Sequence, residues 1–340
     1  MTLPDPSALP SPGAVFDALL GYQRTAALKG GLALDLFTAI AAGATTADDL
    51  AARCQASPRG TRILADYLTA AGFLTKRDGH YGLAPIAAAF LDRRSPTYLG
   101  SIADFLAAPG QIAQFADVAA IVRHGGTVAT AEGNLSTENP AWVDFARAMA
   151  PLMALPAGLL ADLIDREGGP VAKLLDIAAG HGLFGLAVGR RHPTAIIHAL
   201  DWPNVLAVAR ENAAAAGAES RFVALPGSAF EVELGEGYNV ALVANFLHHF
   251  DRLTCESLLR RLHRSLAPGG RVVVLEMIPD EDRVSPPVPA MFALMMLGTT
   301  PQGDAYTFAE YDAMFRAAGF SGAMLHPLPP TDERVIIATR

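Results

Sequence analysis

Residues 174–182 read Leu-Leu-Asp-Ile-Ala-Ala-Gly-His-Gly, and an amphipathic run from Leu183 to Arg191 follows at once. An apolar stretch that ends in an acid, small residues and two glycines is the pattern of a buried strand, a tight turn and a helix. Glycines at such a turn let the backbone come close to a ligand, and the helix start offers it free N–H groups. Gly180, Gly182 and Gly185 satisfy G-x-G-x-x-G. Asp201 lies about 20 residues on, where an acid can accept both hydroxyls of a ribose. The chemistry on offer is therefore the binding of a nucleotide cofactor. Read literally, the motif is a dinucleotide fingerprint and makes the chain a NAD-dependent oxidoreductase. Asp201 also suits a plainer role, as an acid at the start of the helix that begins near Pro203.

His248 and His249 are adjacent imidazoles. As a metal pair they are poorly placed, because neighbouring residues after a strand point to different sides and no nearby acid completes a triad. A structural role is expected for His249.

These residues need elements to hold them. After Glu167-Gly168-Gly169-Pro170, a credible domain boundary, strand and helix patterns alternate. The first strand ends at Asp176. Ile196 to Leu200 follows and ends at Asp201, then a helix from about Pro203 to Ala216. Phe222 to Leu225 and Asn239 to Ala244 read as strands, Thr254 to Leu266 as a helix, and Val272 to Leu275 as a strand ending at Glu276. Such alternation gives a parallel sheet covered on both faces. A helix over Phe308–Ala318 precedes two strand-like stretches, Phe320 to His326 and Arg334 to Thr339, which should pair antiparallel. That closing pair, and a turn that begins already at Ala178, count against NAD, whose fold carries a second mononucleotide half.

The N-terminal part reads as helices. Two are expected between Gly13 and Ala42, separated at Gly30-Gly31; Thr46 and Ser57-Pro58 start two more. Phe73-Leu74-Thr75 and His80 to Leu83 form a hairpin around Asp78-Gly79. Helices followed by a two-stranded wing suggest DNA binding. Yet the first hundred residues carry nine Lys or Arg against eight Asp, and the presumed recognition helix offers only Arg59 and Arg62. That footprint is thin, and a packing or dimerisation domain is favoured. Thr97 to Asp165 reads as further helices around a polar loop, Gly125 to Pro140, with Trp142, Phe145 and Met149 on one face.

Half of the 340 residues are apolar and 18% are charged, so the chain can bury a large core and form two domains. A net charge of −8 argues against a nucleic-acid-coating protein. Cys54 and Cys255 lie far apart and suit a reducing, cytoplasmic setting. Disorder is expected only in the proline-rich first dozen residues, which show no secretory signal. No uninterrupted apolar stretch is long enough to span a bilayer.

Asp176-Ile177-Ala178-Ala179-Gly180-His181-Gly182 resembles motif I of class I S-adenosylmethionine-dependent methyltransferases. From about Phe16 to Arg340 the chain is similar to the small-molecule O-methyltransferases typified by plant caffeate and flavonoid enzymes and bacterial tailoring enzymes. Asp201-Trp202-Pro203-Asn204-Val205 resembles D-L-P-x-V, Gly227-Ser228-Ala229-Phe230 stands at G-D-M-F, and Leu247-His248-His249-Phe250 stands at L-H-D-W. Leu266-Ala267-Pro268-Gly269-Gly270 precedes the fifth strand as in many methyltransferases.

The resemblance implies an α/β fold with a Rossmann-like, mostly parallel seven-stranded sheet. It implies a winged-helix-like dimerisation domain at 13–95, a helical connector covering the active site at 96–168, and a catalytic domain at 169–340. S-adenosylmethionine would meet Asp176, Ala178, Gly180, Gly182, Asp201, Trp202, Ser228, Ala229, Phe230 and Asn245, and leave as S-adenosylhomocysteine. His248 would take the proton of an acceptor hydroxyl and Glu276 would orient it. Phe145, Met149, Met295, Met296 and Thr300 would line the acceptor pocket. No metal, nucleic acid or membrane is implied, and the chain would be a homodimer through its N-terminal helices. The sequence departs from the family at Ala178, Ser228, Asn245 and Ala305. Ala305 stands where a second acid often supports the base in the family, and adjacent Asp304 could substitute for it, though from a different direction. The expected activity is methyl transfer to a hydroxyl of a small aromatic metabolite. The alternatives are a carbon, nitrogen or sulfur acceptor on the same fold, the oxidoreductase, and a winged-helix regulator with a degenerate sensor domain.

Overall fold

The computed structural model describes residues 11–130, 132–136 and 138–340. Residues 1–10 of the proline cluster, with the expectations attached to them, lie outside the described residues. Two compact units divide the chain, Met1–Ala108 and Pro109–Arg340. The division falls inside the segment expected as a connector.

In the first unit, α1 (Gly13–Leu19), α2 (Gly21–Ala33), α3 (Leu36–Ala41), α4 (Ala47–Arg53) and α5 (Pro58–Ala70) precede a hairpin of β1 (Leu74–Arg77) and β2 (His80–Leu83). α6 (Pro85–Phe90) and α7 (Ile102–Leu106) complete it. The order of helices and hairpin is the expected one, with two differences: residues 13–42 form three helices where two were expected, α1 and α2 dividing at Leu20, and the glycine pair is not a break. Gly30 and Gly31 lie inside α2, and the break comes at Asp35, with φ 53°. Gly31 is small because of packing: a Cβ there would press on Phe37 Cε2 at 3.0 Å and Leu68 Cδ1 at 3.1 Å. Thr46 Oγ1 accepts from Asp49 N at 3.2 Å and Ser57 Oγ from Gly60 N at 3.1 Å, caps that stabilise α4 and α5 by about 1 kcal/mol each. Leu36, Phe37, Leu50, Leu68 and Tyr81 form the core. On α5, Arg62 is paired with Asp66 at 3.0 Å, which thins the cationic face further.

The second unit contains α8 (Pro109–Gln114), α9 (Val118–His124) and the 26-residue α10 (Ala141–Arg166). The rest alternates: β3 (Lys173–Ile177), α11 (Leu183–Arg191), β4 (Ile196–Asp201), α12 (Pro203–Ala215), β5 (Phe222–Pro226), β6 (Tyr238–Ala244), α13 (Arg252–Ser265), β7 (Leu266–Glu276), α14 (Pro287–Thr299), α15 (Phe308–Ala318), β8 (Ala323–Pro327) and β9 (Arg334–Thr339). The seven-stranded sheet has the order β5-β4-β3-β6-β7-β9-β8. Five strands are parallel; β9 runs antiparallel to both β7 and β8, as the closing pair should.

Side-chain alternation along the strands divides the core into two layers. Val272 and Val274 pack with Leu258, Leu262, Tyr311 and Phe315 of α13 and α15. Val273 and Leu275 pack with Leu160 and Ile164 of α10 and Val188 of α11. By length and composition α10 could cross a bilayer. Here its apolar face, including Leu160, Leu163 and Ile164, is buried in the core.

Candidate active site

The winding of the chain reverses at β3. The segment after it runs outward to β4 and β5, and the next returns to the other side as β6 and β7. Crevices for ligands open at such a switch point, beyond the C-terminal ends of the strands. The glycine turn, Asp201, Asn245, the 247–249 turn and Glu276 all lie at those ends.

In the glycine turn Ala178, Gly180 and Gly182 have φ of 50°, 57° and 73°. A Cβ on Gly180 would meet nothing nearer than Ala178 O at 3.9 Å, so the space before the turn is open. Gly185 is needed for close packing: a Cβ there would lie 2.8 Å from Asp176 Oδ2 and 3.1 Å from Ile197 Cγ2. Asp176 is fully buried, and its Oδ2 accepts from Gly185 N at 3.0 Å. It ties α11 to β3. Burial pushes its carboxyl up to about 8, against the pull of the Gly185 N–H.

Asp201 is differently placed. Its Oδ2 accepts from Gly180 N at 2.8 Å and its Oδ1 from Trp202 N at 2.7 Å, so the carboxylate is locked at the mouth of the turn with lone pairs to spare. Burial still raises it to about 6. His181 Nδ1 accepts from Leu183 N at 3.2 Å, and burial lowers that ring to about 4. Trp202 starts α12 and packs with Trp142, Ala146, Val205 and Val208. Ser228 Oγ accepts from Phe230 N at 3.2 Å and Ala229 is buried. The Phe230 ring meets Phe250 edge-on at 5.0 Å. Asn245 has φ 52° and reaches Met153 Sδ on α10 at 3.7 Å.

Glu276 is wholly buried at the end of β7. Its Oε1 accepts from Phe246 N at 2.9 Å, Leu247 N at 2.8 Å and His248 N at 3.4 Å. Its Oε2 takes the Nδ1 of His248. A carboxylate only accepts, so the ring proton sits on Nδ1 and the lone pair on Nε2. Among the described residues, the hydrogen bond of the ring runs through Nδ1. The ring is held further by Phe292 at 4.9 Å and by His249 at 4.3 Å.

His248 and His249 do not point to opposite sides. They lie in a 3-10 turn, which advances each residue by about 120°, and so their rings touch. Burial, aided by His248, holds His249 well below the usual imidazole range, and it packs against Trp142 at 5.4 Å. Its Nδ1 is buried without a hydrogen-bond partner among the described residues.

The expected acceptor wall is only partly brought together. Phe145 packs edge-on to Trp142 at 5.5 Å, and Met149 packs on the α10 core layer. Met295 and Met296 part company, since adjacent helical positions lie about 100° apart: one is exposed, the other buried. Thr300 is no lining residue. It is wholly buried, its hydroxyl donating to Met296 O at 2.7 Å and accepting from Gly303 N at 2.8 Å. Phe292, one helical turn before Met296, was not among the expected residues, yet its ring meets that of His248; the four-residue spacing within an apolar helix was its signal. Asp304 does not replace the absent acid. Its Oδ1 accepts from Ala305 N at 2.8 Å and its Oδ2 faces Arg283 at 3.5 Å.

Residues 124–321 match the O-methyltransferase domain family, and residues 16–93 match the O-methyltransferase dimerisation domain. The 3-hydroxy-5-methyl-1-naphthoate 3-O-methyltransferase of Streptomyces sahachiroi is 30% identical over 91% of this chain and 90% of its own length. The solved structure of a candidate O-methyltransferase from Nostoc punctiforme is 49% identical, with a TM-score of 0.95 over 98% of this chain and 100% of that one. PigF, solved with S-adenosylhomocysteine, is 26% identical with a TM-score of 0.83, over 98% of this chain and 100% of that one. The chain belongs to the S-adenosylmethionine-dependent O-methyltransferase family and carries that family's dimerisation domain.

Proposed function

We propose that this enzyme methylates a hydroxyl on a small, planar aromatic metabolite, with His248 as the base. The observation that carries the reading is the pairing of the His248 Nδ1 with the buried Glu276, which leaves Nε2 as the free basic atom. Bound S-adenosylmethionine supplies a methyl group already activated on a sulfonium sulfur. The crevice fits it. Open space lies before Gly180, and Asp201 presents a carboxylate whose orientation two backbone N–H groups fix. Asp201 would take the two ribose hydroxyls, while Ser228, Ala229, Phe230 and Asn245 flank the adenine and Gly180 and Gly182 the methionine part.

His248 Nε2 draws the proton from the acceptor hydroxyl, which readies its oxygen to accept the methyl group that the cofactor would supply, S-adenosylhomocysteine being the leaving group. Glu276 holds the tautomer that makes this possible and offsets the charge of the imidazolium that forms. Phe292 and the Trp142–Phe145 pair offer flat apolar faces to an aromatic ring and keep water out. The naphthoate substrate named for the Streptomyces relative is of this class. A base oriented this tightly serves a hydroxyl, which must lose a proton, better than a thioether, which has none to lose.

The enzyme would work as a homodimer. No residue of α1 is buried, and Val15, Phe16 and Leu19 are exposed. Two unpaired cysteines suit the cytoplasm.

The test is a methyl-acceptor screen with hydroxynaphthoates and hydroxyindoles, read by mass spectrometry, on the wild type and His248→Ala. The variant should bind S-adenosylhomocysteine normally and transfer methyl about 10²- to 10⁴-fold more slowly. Undiminished transfer by the variant would mean that no base is needed and that the acceptor atom is not a hydroxyl oxygen.

A further inference from the structure

With Ala305 in place of a second acid and the Asp304 carboxylate turned to Arg283, something else must steady the base. The same segment reaches the 248–250 turn by other means. Asp304 N donates to His248 O at 3.0 Å. The Tyr306 hydroxyl donates to Phe250 O at 2.7 Å. Gly303 lies so close that a Cβ on it would strike His248 O. The segment is itself anchored, through Gly303 N to the buried hydroxyl of Thr300. Carbonyls on either side of His249 are thus held from one stretch of chain.

We propose that residues 303–306 position the base by gripping its main chain, with Tyr306 as the positioning residue. The Tyr306 hydroxyl fixes the Phe250 carbonyl and closes the far end of the turn. Asp304 N and the bare Gly303 fix the carbonyl of His248 itself. Glu276 holds the N–H side of the same turn, so the imidazole is set from both sides of the peptide chain. The proposal rests on the reading of His248 as base.

A neighbouring residue supplies the control. Tyr311 packs against Tyr306 with ring centroids 5.7 Å apart, and it is wholly buried. Its hydroxyl has no hydrogen-bond partner among the described residues. Tyr306→Phe and Tyr311→Phe remove the same atom from the same layer, but only the first removes a bond to the turn.

The experiment uses full-length protein saturated with S-adenosylhomocysteine. Proton NMR follows the His248 Nδ1–H held by Glu276, assigned by its loss in His248→Gln. In Tyr306→Phe this proton should exchange with water about fivefold faster and its resonance should move toward that of a free imidazole. Affinity for S-adenosylhomocysteine should stay within about twofold. Tyr311→Phe should leave the resonance where it is. Should Tyr306→Phe fail to fold, Gly303→Ala, which forces His248 O aside, should give the same displacement. A resonance unmoved in whichever of the two variants folds overturns the proposal. A resonance that moves, in an enzyme whose His248→Ala variant still transfers methyl, would show the grip to be real and the base assignment wrong.

Discussion

Glu276 binds His248 twice, once at the ring through Oε2 and once at the main-chain N–H through Oε1. The carboxylate therefore fixes both the direction of the imidazole and the turn that carries it. Few acids in the molecule are so fully enclosed, and this one keeps company with four donors.

Glu276→Gln should separate these two duties. The amide oxygen can still accept from the N–H groups of Phe246 and Leu247, but the NH₂ group faces Nδ1 as a donor. The ring must then accept at Nδ1 and carry its proton on Nε2, the wrong atom for a base. Methyl transfer should fall by about 10² to 10⁴ while the thermal midpoint changes little. Kinetics alongside scanning calorimetry decides it; full activity in the variant would rule out the tautomer argument.

Cofactor affinity should depend on Asp201. Its carboxyl is raised to about 6, and only the ionised form accepts from two hydroxyls at once. Calorimetric titration with S-adenosylmethionine should show binding weaken as the pH falls through about 6. Asp201→Asn should bind about 10- to 100-fold more weakly, with that pH dependence gone. Equal affinity at pH 5 and pH 7 in the wild type would refute it.

Asp176 should govern stability instead. Its folded-state pKa, about 8, lies above the ordinary value of 3.8, so the folded protein holds a proton that the unfolded chain releases between them. That contribution to stability is whole below about 4 and is lost as the pH rises toward about 8. Asp176→Asn keeps an acceptor for Gly185 N and cannot ionise. Melting curves of the ligand-free protein should show a gain at pH 8, on the order of 1–3 kcal/mol, and little at pH 4. A loss at pH 8 contradicts this account.

The exposed apolar face of α1 yields a prediction about assembly. Phe16→Glu with Leu19→Glu places two charges where Val15, Phe16 and Leu19 lie open. Sedimentation should show the dimer dissociate, and a dimer that survives both changes assembles through another surface.

The sequence made plain whatever has a grammar of its own. The acid–glycine turn at 176–182, the caps at Thr46 and Ser57, the strand ends at Asp201 and Glu276 and the closing antiparallel pair are all short-range patterns of polarity and backbone freedom. Other features depend on what lies opposite. Gly31 signals a helix break by type, but it is glycine because Phe37 and Leu68 press on it. Thr300 carries a polar hydroxyl that the end of its own helix consumes. The grip of residues 303–306 on the base works largely through peptide groups, which every residue has, and no side-chain pattern announces it.

The place of β9 has a consequence for how the enzyme matures. The strand that ends in Glu276 is flanked on one side by Arg334–Thr339, paired from Arg271↔Thr339 to Glu276↔Arg334. Those residues are translated some sixty positions after the strand they cover. Until they arrive, β7 shows a bare, valine-rich edge, the kind of surface that recruits other chains. A growing polypeptide can thus assemble its nucleotide crevice early, yet shelters Glu276 only when β9 slides in.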